Sequence, residues 1–330
     1  MKEVSTGRIK LSVEEARSLS HRALRRLGYD DVEAGIVTDH VVDAALCGYE
    51  YSGLAKILNV AEDARFKRPR QPPAIRNETP VSALIDGGNN VGMVALHFAT
   101  DVAIRKAQQC GIAIVGVGNS WMSGRHAYYA ERIARADLIG IQMESTRGNS
   151  VAPPGGLRGS LGTNPICFGI PTARGPMVFD MGTAAIMSTD VALRARMGQS
   201  LPEGVAIDPM GQPTCDAQQA KAGALLTFGG YKGFGLSLVV QMFGALAGCS
   251  FAAERPHGAV FIAFKPDLLA PGGEFEEQAD ALIRHVKATP RQPGVDDIRI
   301  PSEHAFVNRE RLSRDGLELD KAVADALSSL

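Results

Sequence analysis

Ile114-Val-Gly-Val-Gly-Asn-Ser-Trp-Met-Ser-Gly124 runs from a β-rich segment through two glycines toward a helical pattern. Glycines at such a junction let the backbone approach a pyrophosphate, so the stretch invites a dinucleotide-fingerprint reading. The spacing rejects it. G-x-G-x-x-G starting at Gly116 would need glycine at position 121, which holds the chain's only tryptophan, Trp121. No acidic residue closing a second Rossmann strand follows about 20 residues on. The fold expected here is therefore α/β but not Rossmann.

The segments on either side keep that class. Residues 81–85 have the pattern of a strand, 86–90 of a turn and 91–110 of a long helix ended by Gly111; 112–117 reads as a strand, 125–136 as a helix and 138–143 as another strand. Upstream, Ser12 with Glu15 three residues later forms a capping box for a helix reaching Gly28. A second helix, capped by Asp30 or Asp31, runs to Gly48, where a left-handed residue is wanted. A proline-rich basic stretch covers 67–73. Residues 146–230 are dense in Gly and Pro, a loop-rich length of the kind that carries function, with a strand at 177–181. Beyond it, 232–248 reads as an apolar helix, 258–264 as a strand, 275–287 as a helix and 319–327 as a closing amphipathic helix.

Composition narrows the partners. The chain has 330 residues, 45% hydrophobic, with 35 Lys+Arg against 36 Asp+Glu, enough length for two domains or one interwoven unit. A net charge of −1 supplies no basic field, so nucleic acid is not an expected partner. Five scattered cysteines without a C-x-x-C pair suggest neither a disulfide framework nor zinc, and fit a reducing cytoplasm. No apolar run approaches the ~20 residues that span a bilayer, and the N-terminus has no apolar leader, so neither export nor membrane insertion is expected.

Several motifs carry two readings each. Gly162-Thr-Asn-Pro165 is a rigid polar loop whose Thr163 could hold a carboxylate, or an ordinary turn. Asp180, closing the apolar run Val178-Phe-Asp-Met181, is placed either to orient a catalytic group or to end a strand. Gly229-Gly-Tyr-Lys-Gly-Phe-Gly235 opens an apolar helix and could present amides and Lys232 to a phosphate, or simply allow close packing. The seven histidines show no H-x-x-x-H or H-E-x-x-H spacing, so no metal site is expected. His126, near a helix start, is the histidine to watch.

Taken in order, these segments resemble the type-2 malate/L-lactate dehydrogenase family, which includes sulfolactate and ureidoglycolate dehydrogenases, 2,3-diketogulonate reductase and Δ1-piperideine-2-carboxylate reductase. The carriers are Ala45-Leu-Cys-Gly48, Asp86-Gly-Gly-Asn-Asn-Val-Gly92, Gly118-Asn-Ser120, Gly162-Thr-Asn-Pro165, Phe179-Asp-Met181, Pro202-Glu-Gly204, Asp208-Pro-Met-Gly211 and Gly230-Tyr-Lys-Gly-Phe-Gly235. They cover nearly the whole chain. The resemblance implies a mostly antiparallel sheet, with a cofactor-binding α/β domain at 76–289 and an N-terminal helical part at 1–75 packed with C-terminal helices at 290–330. It also implies a cytoplasmic homodimer that uses NADH or NADPH to reduce a small carboxylate-bearing 2-oxo acid or imine. The implied cofactor contacts are Ser120, Trp121, Met122, Ser123, Gly124, Asp180, Met181, Gly182, Lys232, Gly233, Pro301, Ser302 and Glu303.

At the family's catalytic positions the residues differ. Its Ser-His-Gly is Tyr51-Ser52-Gly53 here, a second histidine falls on Met122, and a substrate-holding arginine falls on Lys56. The expectation is then a divergent member that has lost its proton-donating histidines. Tyr51, Ser52 and Asp180 would be its catalytic residues, and Lys56, Thr163 and Met122 its substrate contacts. General acid help is typically worth roughly 10²–10⁴-fold, and a protonated imine already carries its proton, so loss of the acid would favour an imine substrate. The alternative readings are a non-redox lyase, cyclase or isomerase, a protein that only binds a ligand, or a relocated acid at Tyr51 or His126.

Overall fold

The computed structural model describes residues 2–5, 7–146, 148–250 and 257–330. The chain opens with β1 (Lys2–Ser5) and β2 (Arg8–Leu11), followed by α1 (Val13–Arg26) and α2 (Asp31–Leu46). Both helices start at complete capping boxes, Ser12 with Glu15 and Asp30 with Glu33, which satisfy orphan amides at each start. Gly48 then turns the chain at a φ of 88°, and a single 3-10 turn leads into α3 (Lys56–Glu62).

A seven-stranded sheet forms the centre. It is built from β3 (Ala74–Thr79), β4 (Ser82–Val91), β5 (Ile112–Trp121), β6 (Ile139–Thr146), β7 (Ile166–Ile170), β8 (Met177–Met181) and β11 (His257–Phe264). Their order is β3-β4-β5-β11-β6-β7-β8, and only β4 and β5 run parallel. The crossover between them is α4 (Gly92–Cys110), as a parallel pair requires. With α5 (Ala127–Ala134), α4 covers one face, burying Leu96, Ala99, Val102 and Ile133 against Val115, Val117 and Phe261. The family-like mostly antiparallel, non-Rossmann α/β sheet is thus present.

The loop-rich middle carries α6 (Ser188–Met197), the short strands β9 (Ala206–Ile207) and β10 (Ala224–Leu225), and α7 (Ala217–Ala222) between them. Next, α8 (Tyr231–Leu246) lies on the other sheet face, where Val240 packs with Met143 and Ile166. The chain ends with α9 (Glu274–Lys287), α10 (Glu303–Asp315), β12 (Leu317–Asp320) and α11 (Lys321–Ser329). Strand β12 pairs with β2, so Leu317, Leu319 and Leu327 join one apolar core with Ile9, Leu11, Leu24, Val41 and Ile57.

Two local expectations change. Residues 86–90 continue β4 instead of forming a turn, because Asn90 and Val91 pair with Ser120 and Trp121 after a register shift. Helix α10 lies within the helical part expected at 290–330, but only 319–327 was expected there as an element; only Ala305 along α10 is buried, so no apolar stripe announces it. Among the described residues no helix is long and apolar enough to cross a membrane.

Candidate active site

The ends of β5, β6 and β8 and the start of α3 converge on a cleft of about 320 Å³, the low end of the ~300–1,000 Å³ typical of small-molecule sites. Such a volume suits a small acid beside a nicotinamide ring, not a whole dinucleotide. Tyr51, Ser52, Lys56, Met122, Ser123, Gly124, Thr163, Asp180, Met181 and Gly182 all line it. Ser120 and Trp121 do not; Trp121 is buried in the N-terminal core and donates Nε1–H to the Asn89 carbonyl at 3.0 Å. Lys232 is exposed, and Gly233 is buried where a Cβ would meet the Phe228 carbonyl at 2.2 Å. Pro301 is exposed, Ser302 stands at the N-cap of α10, and Glu303 pairs with Lys287 at 2.8 Å. These five residues are outside the cleft lining.

Local backbone explains how the wall is shaped. Met122 has a left-handed φ of 57° and Gly124 one of 81°, so the chain reverses between β5 and α5. A Cβ on Gly124 would come within 2.2 Å of His40 Nε2, the atom that accepts the Arg125 amide at 2.8 Å. His40 must be neutral to accept there, and burial, with the charge of Arg125, holds its pKa well below the usual value. Across the cleft, Asn164 is fully buried and clamps the Thr163 loop to α8, donating to the Ser237 carbonyl and to Gln241 Oε1, each at 3.0 Å. The loop is therefore held from beneath, beyond what a surface turn needs.

Three titratable side chains meet at the cleft's base. His126 Nε2 lies 2.9 Å from Glu144 Oε2 and 3.0 Å from Ser123 Oγ. His257 Nδ1 faces Glu144 Oε1 at 3.6 Å, and His126 and Glu144 are 4% and 6% exposed. Burial would push the Glu144 carboxyl up, but the two histidines outweigh it and hold the group well below the carboxylate range. Burial likewise pulls His126 down, and the contact with Glu144 and the charge of Asp180 overcome it, so its pKa is raised. The protonated form of this buried imidazole is thereby favoured over that of a free one. Asp180 Oδ2 accepts the Ala127 amide at 2.8 Å, fixing the first turn of α5 directly beside His126.

This corrects the expectation that the proton-donating histidines are lost. Ser52 and Met122 do occupy those two positions, but the cleft is supplied with histidine from elsewhere, the α5 entry and the first residue of β11. Chemistry needs an imidazole at the cavity, and a different backbone path delivers it. Tyr51 is not needed as a substitute acid: burial pushes its phenol up to about 12. Glu144 and His257 were not singled out by the sequence; over a hundred positions separate them, and only their cross-sheet pairing brings them together. Lys56 is 6% exposed and lines the cleft, and its ammonium makes no hydrogen bond or ion pair with a described residue. Burial lowers its pKa to about 8, with Glu144 opposing. No cluster of His, Cys, Asp or Glu among the described residues could hold a metal ion.

The malate/L-lactate dehydrogenase family model matches residues 11–328. The chain belongs to this family, and so to the oxidoreductases that use NADH or NADPH on small carboxylate substrates. It is 32% identical to the malate/(S)-sulfolactate dehydrogenase of Methanothermus fervidus, covering 97% of this chain and 96% of the relative. It is 31% identical to the Δ1-pyrroline-2-carboxylate reductase of Pseudomonas fluorescens, covering 98% of each. The solved sulfolactate dehydrogenase of Methanocaldococcus jannaschii superposes with a TM-score of 0.85 at 30% identity, over 97% of this chain and 96% of that one.

Proposed function

We propose that this chain reduces the C2 carbon of a small 2-oxo acid or of the corresponding cyclic 2-imino acid, with Lys56 holding the carboxylate and His126 giving the proton. The observation that carries the reading is Lys56: a buried ammonium without a protein partner is costly unless an anion completes it. Thr163, on the clamped loop, adds a hydroxyl to the same wall.

The residues present fit a nicotinamide ring. Ser123, Thr146 and Thr163 offer hydroxyls, Met122 and Met181 offer apolar surface, and Gly182 leaves space that a Cβ would fill against Met187. When bound, the cofactor supplies the hydride. Lys56 orients the substrate by its carboxylate. A ketone acquires alkoxide charge as it is reduced, and protonated His126 can neutralise it, while Glu144 keeps that proton available. With that acid in place a ketone is not disfavoured, and the non-redox alternatives lose their motive. An imino acid remains supported by the two carboxylates, Glu144 and Asp180, in the wall facing a cationic iminium, and by the likeness to the pyrroline-2-carboxylate reductase.

Steady-state kinetics of His126→Asn with paired oxo- and imino-acid substrates test this. A ketone rate reduced roughly 10²–10⁴-fold, with the imine rate much less affected, is expected; equal, small effects on both would refute His126 as the acid. Five free cysteines fit the expected cytoplasmic setting. A homodimer is supported by α8, which leaves Tyr231, Val239, Met242 and Leu246 exposed along one stripe.

A further inference from the structure

Behind the cleft, His257 is gripped from its far side. Arg65 Nη1 contacts His257 Nε2, and the guanidinium is itself pinned by Asp63, with Nε to Oδ1 at 2.9 Å and Nη2 to Oδ2 at 2.6 Å. It also lies 5.3 Å from the centre of the Trp121 ring, and the Arg65 carbonyl accepts Asn89 Nδ2 at 3.2 Å. Arg65 is not in the cleft lining.

A guanidinium can only donate, so Nε2 of His257 must accept, and the ring's single proton sits on Nδ1, toward Glu144. A second proton would have to go on Nε2, against Arg65. We propose that Arg65 is a positioning residue for the proton-handling group: it fixes His257 as the neutral Nδ1–H tautomer, so that a dipole and not a second cation faces Glu144, and the carboxylate's full charge stays with His126. The inference rests on the reading of His126 as the acid, but its first readout does not depend on it.

The charged and titratable groups around the pair are few. His257 is faced by Arg65, by Asp63 behind it and by Glu144 on β6. His126 is faced by Glu144, by Asp180 on β8 and by Lys56 on α3, with neutral His40 on α2 and the Tyr129 ring nearby. Without Arg65, His257 is free to bind a second proton on Nε2. It would then compete for Glu144 and set a new positive charge near His126, which favours the neutral form of His126.

Imidazole ¹⁵N–¹H correlation spectra of the full chain, without cofactor or substrate, test the first step. His257, assigned by loss of its signals in His257→Gln, should hold its proton on Nδ1, whereas an unconstrained neutral ring prefers Nε2–H. Arg65→Met should release it to the Nε2–H or doubly protonated form, and Arg65→Gln, whose amide can still donate, should restore Nδ1–H. In kcat/KM for a ketone, the limb on which activity falls with rising pH should move down by about half a pH unit in Arg65→Met where the spectra show His257 doubly protonated. An Nε2–H ring in the unaltered protein, or an Arg65→Met that changes neither tautomer nor limb, overturns the proposal. Should Arg65→Met not fold, Arg65→Gln and Arg65→Lys are read instead, and a doubly protonated His257 in Arg65→Lys would count equally against it. An Nδ1–H ring in a protein whose His126→Asn variant keeps full ketone activity would refute the acid assignment and leave the tautomer lock standing.

Discussion

Replacing Arg309 on α10 by methionine should cost stability through two helices at once. Its guanidinium bonds Asp43 Oδ1 on α2 at 2.9 Å, and Glu131 Oε2 and Oε1 on α5 at 2.9 and 2.6 Å. Removing one partner of a buried ion pair typically costs about 3–5 kcal/mol. Here neither acid is left alone, since Asp43 keeps Arg125 at 2.9 Å and Glu131 keeps Arg135 at 2.7 Å, and the Arg309 side chain is 24% exposed. A loss of about 2 kcal/mol follows. For a chain of 330 residues unfolding as a unit, that is a fall in Tm of about 3 °C. The sign with pH is fixed by Glu131, whose pKa burial would raise but Arg309 and Arg135 hold below the usual value. A depressed carboxylate contributes stability above its unfolded pKa and loses it as pH falls through the folded one, so the gap between the two proteins should shrink below about pH 4.5. Calorimetry at neutral and acid pH, with a double-mutant cycle against Glu131→Gln, measures this. A Tm within about 0.5 °C of the parent, or no coupling in the cycle, would refute the clamp.

Lys56 should give kcat/KM for an anionic substrate a second descending limb near its pKa of about 8, falling up to tenfold per pH unit above it. Lys56→Arg should abolish that limb while leaving the one due to His126; a limb unchanged in Lys56→Arg would show that the ammonium does not hold the substrate. Light scattering should find a dimer at micromolar concentration, and Met242→Glu with Leu246→Glu on the exposed stripe of α8 should dissociate it; a monomeric parent protein, or a dimer indifferent to both changes, would place the interface elsewhere.

What could be read from the sequence follows from how far each signal reaches. The first capping box is complete within four residues, and Ser12 and Glu15 form it as the spacing requires; of the two caps open for the second helix Asp30 is the one used, with Glu33 completing a box there. The glycine failure at Trp121 excluded a Rossmann unit, and the sheet bears that out. By contrast, β3 and α10 have few buried residues to mark them, and 86–90 looks like a turn because its polar residues are satisfied by partners distant in sequence: Asn90 Nδ2 donates to the Gln71 carbonyl and Asn89 Nδ2 to the Arg65 carbonyl. Local chemistry was legible; long-range compensation was not.

The same limit explains the histidines. Comparing fixed positions finds Ser52 and Met122 and concludes that an acid is gone, because position is all that such a comparison can see. The pairing of β6 with β11 sets Glu144 opposite Ala259, two residues from His257, while the left-handed Met122 and Gly124 carry the chain round to His126. Neither event leaves a motif. What a sequence can offer is a weaker sign: an acidic residue at 144 inside an otherwise apolar or neutral strand, Ile139–Thr146, whose burial would be prohibitive unless cations or donors met it. That cost requires partners, and the histidines at 126 and 257 are the residues the fold brings to meet it.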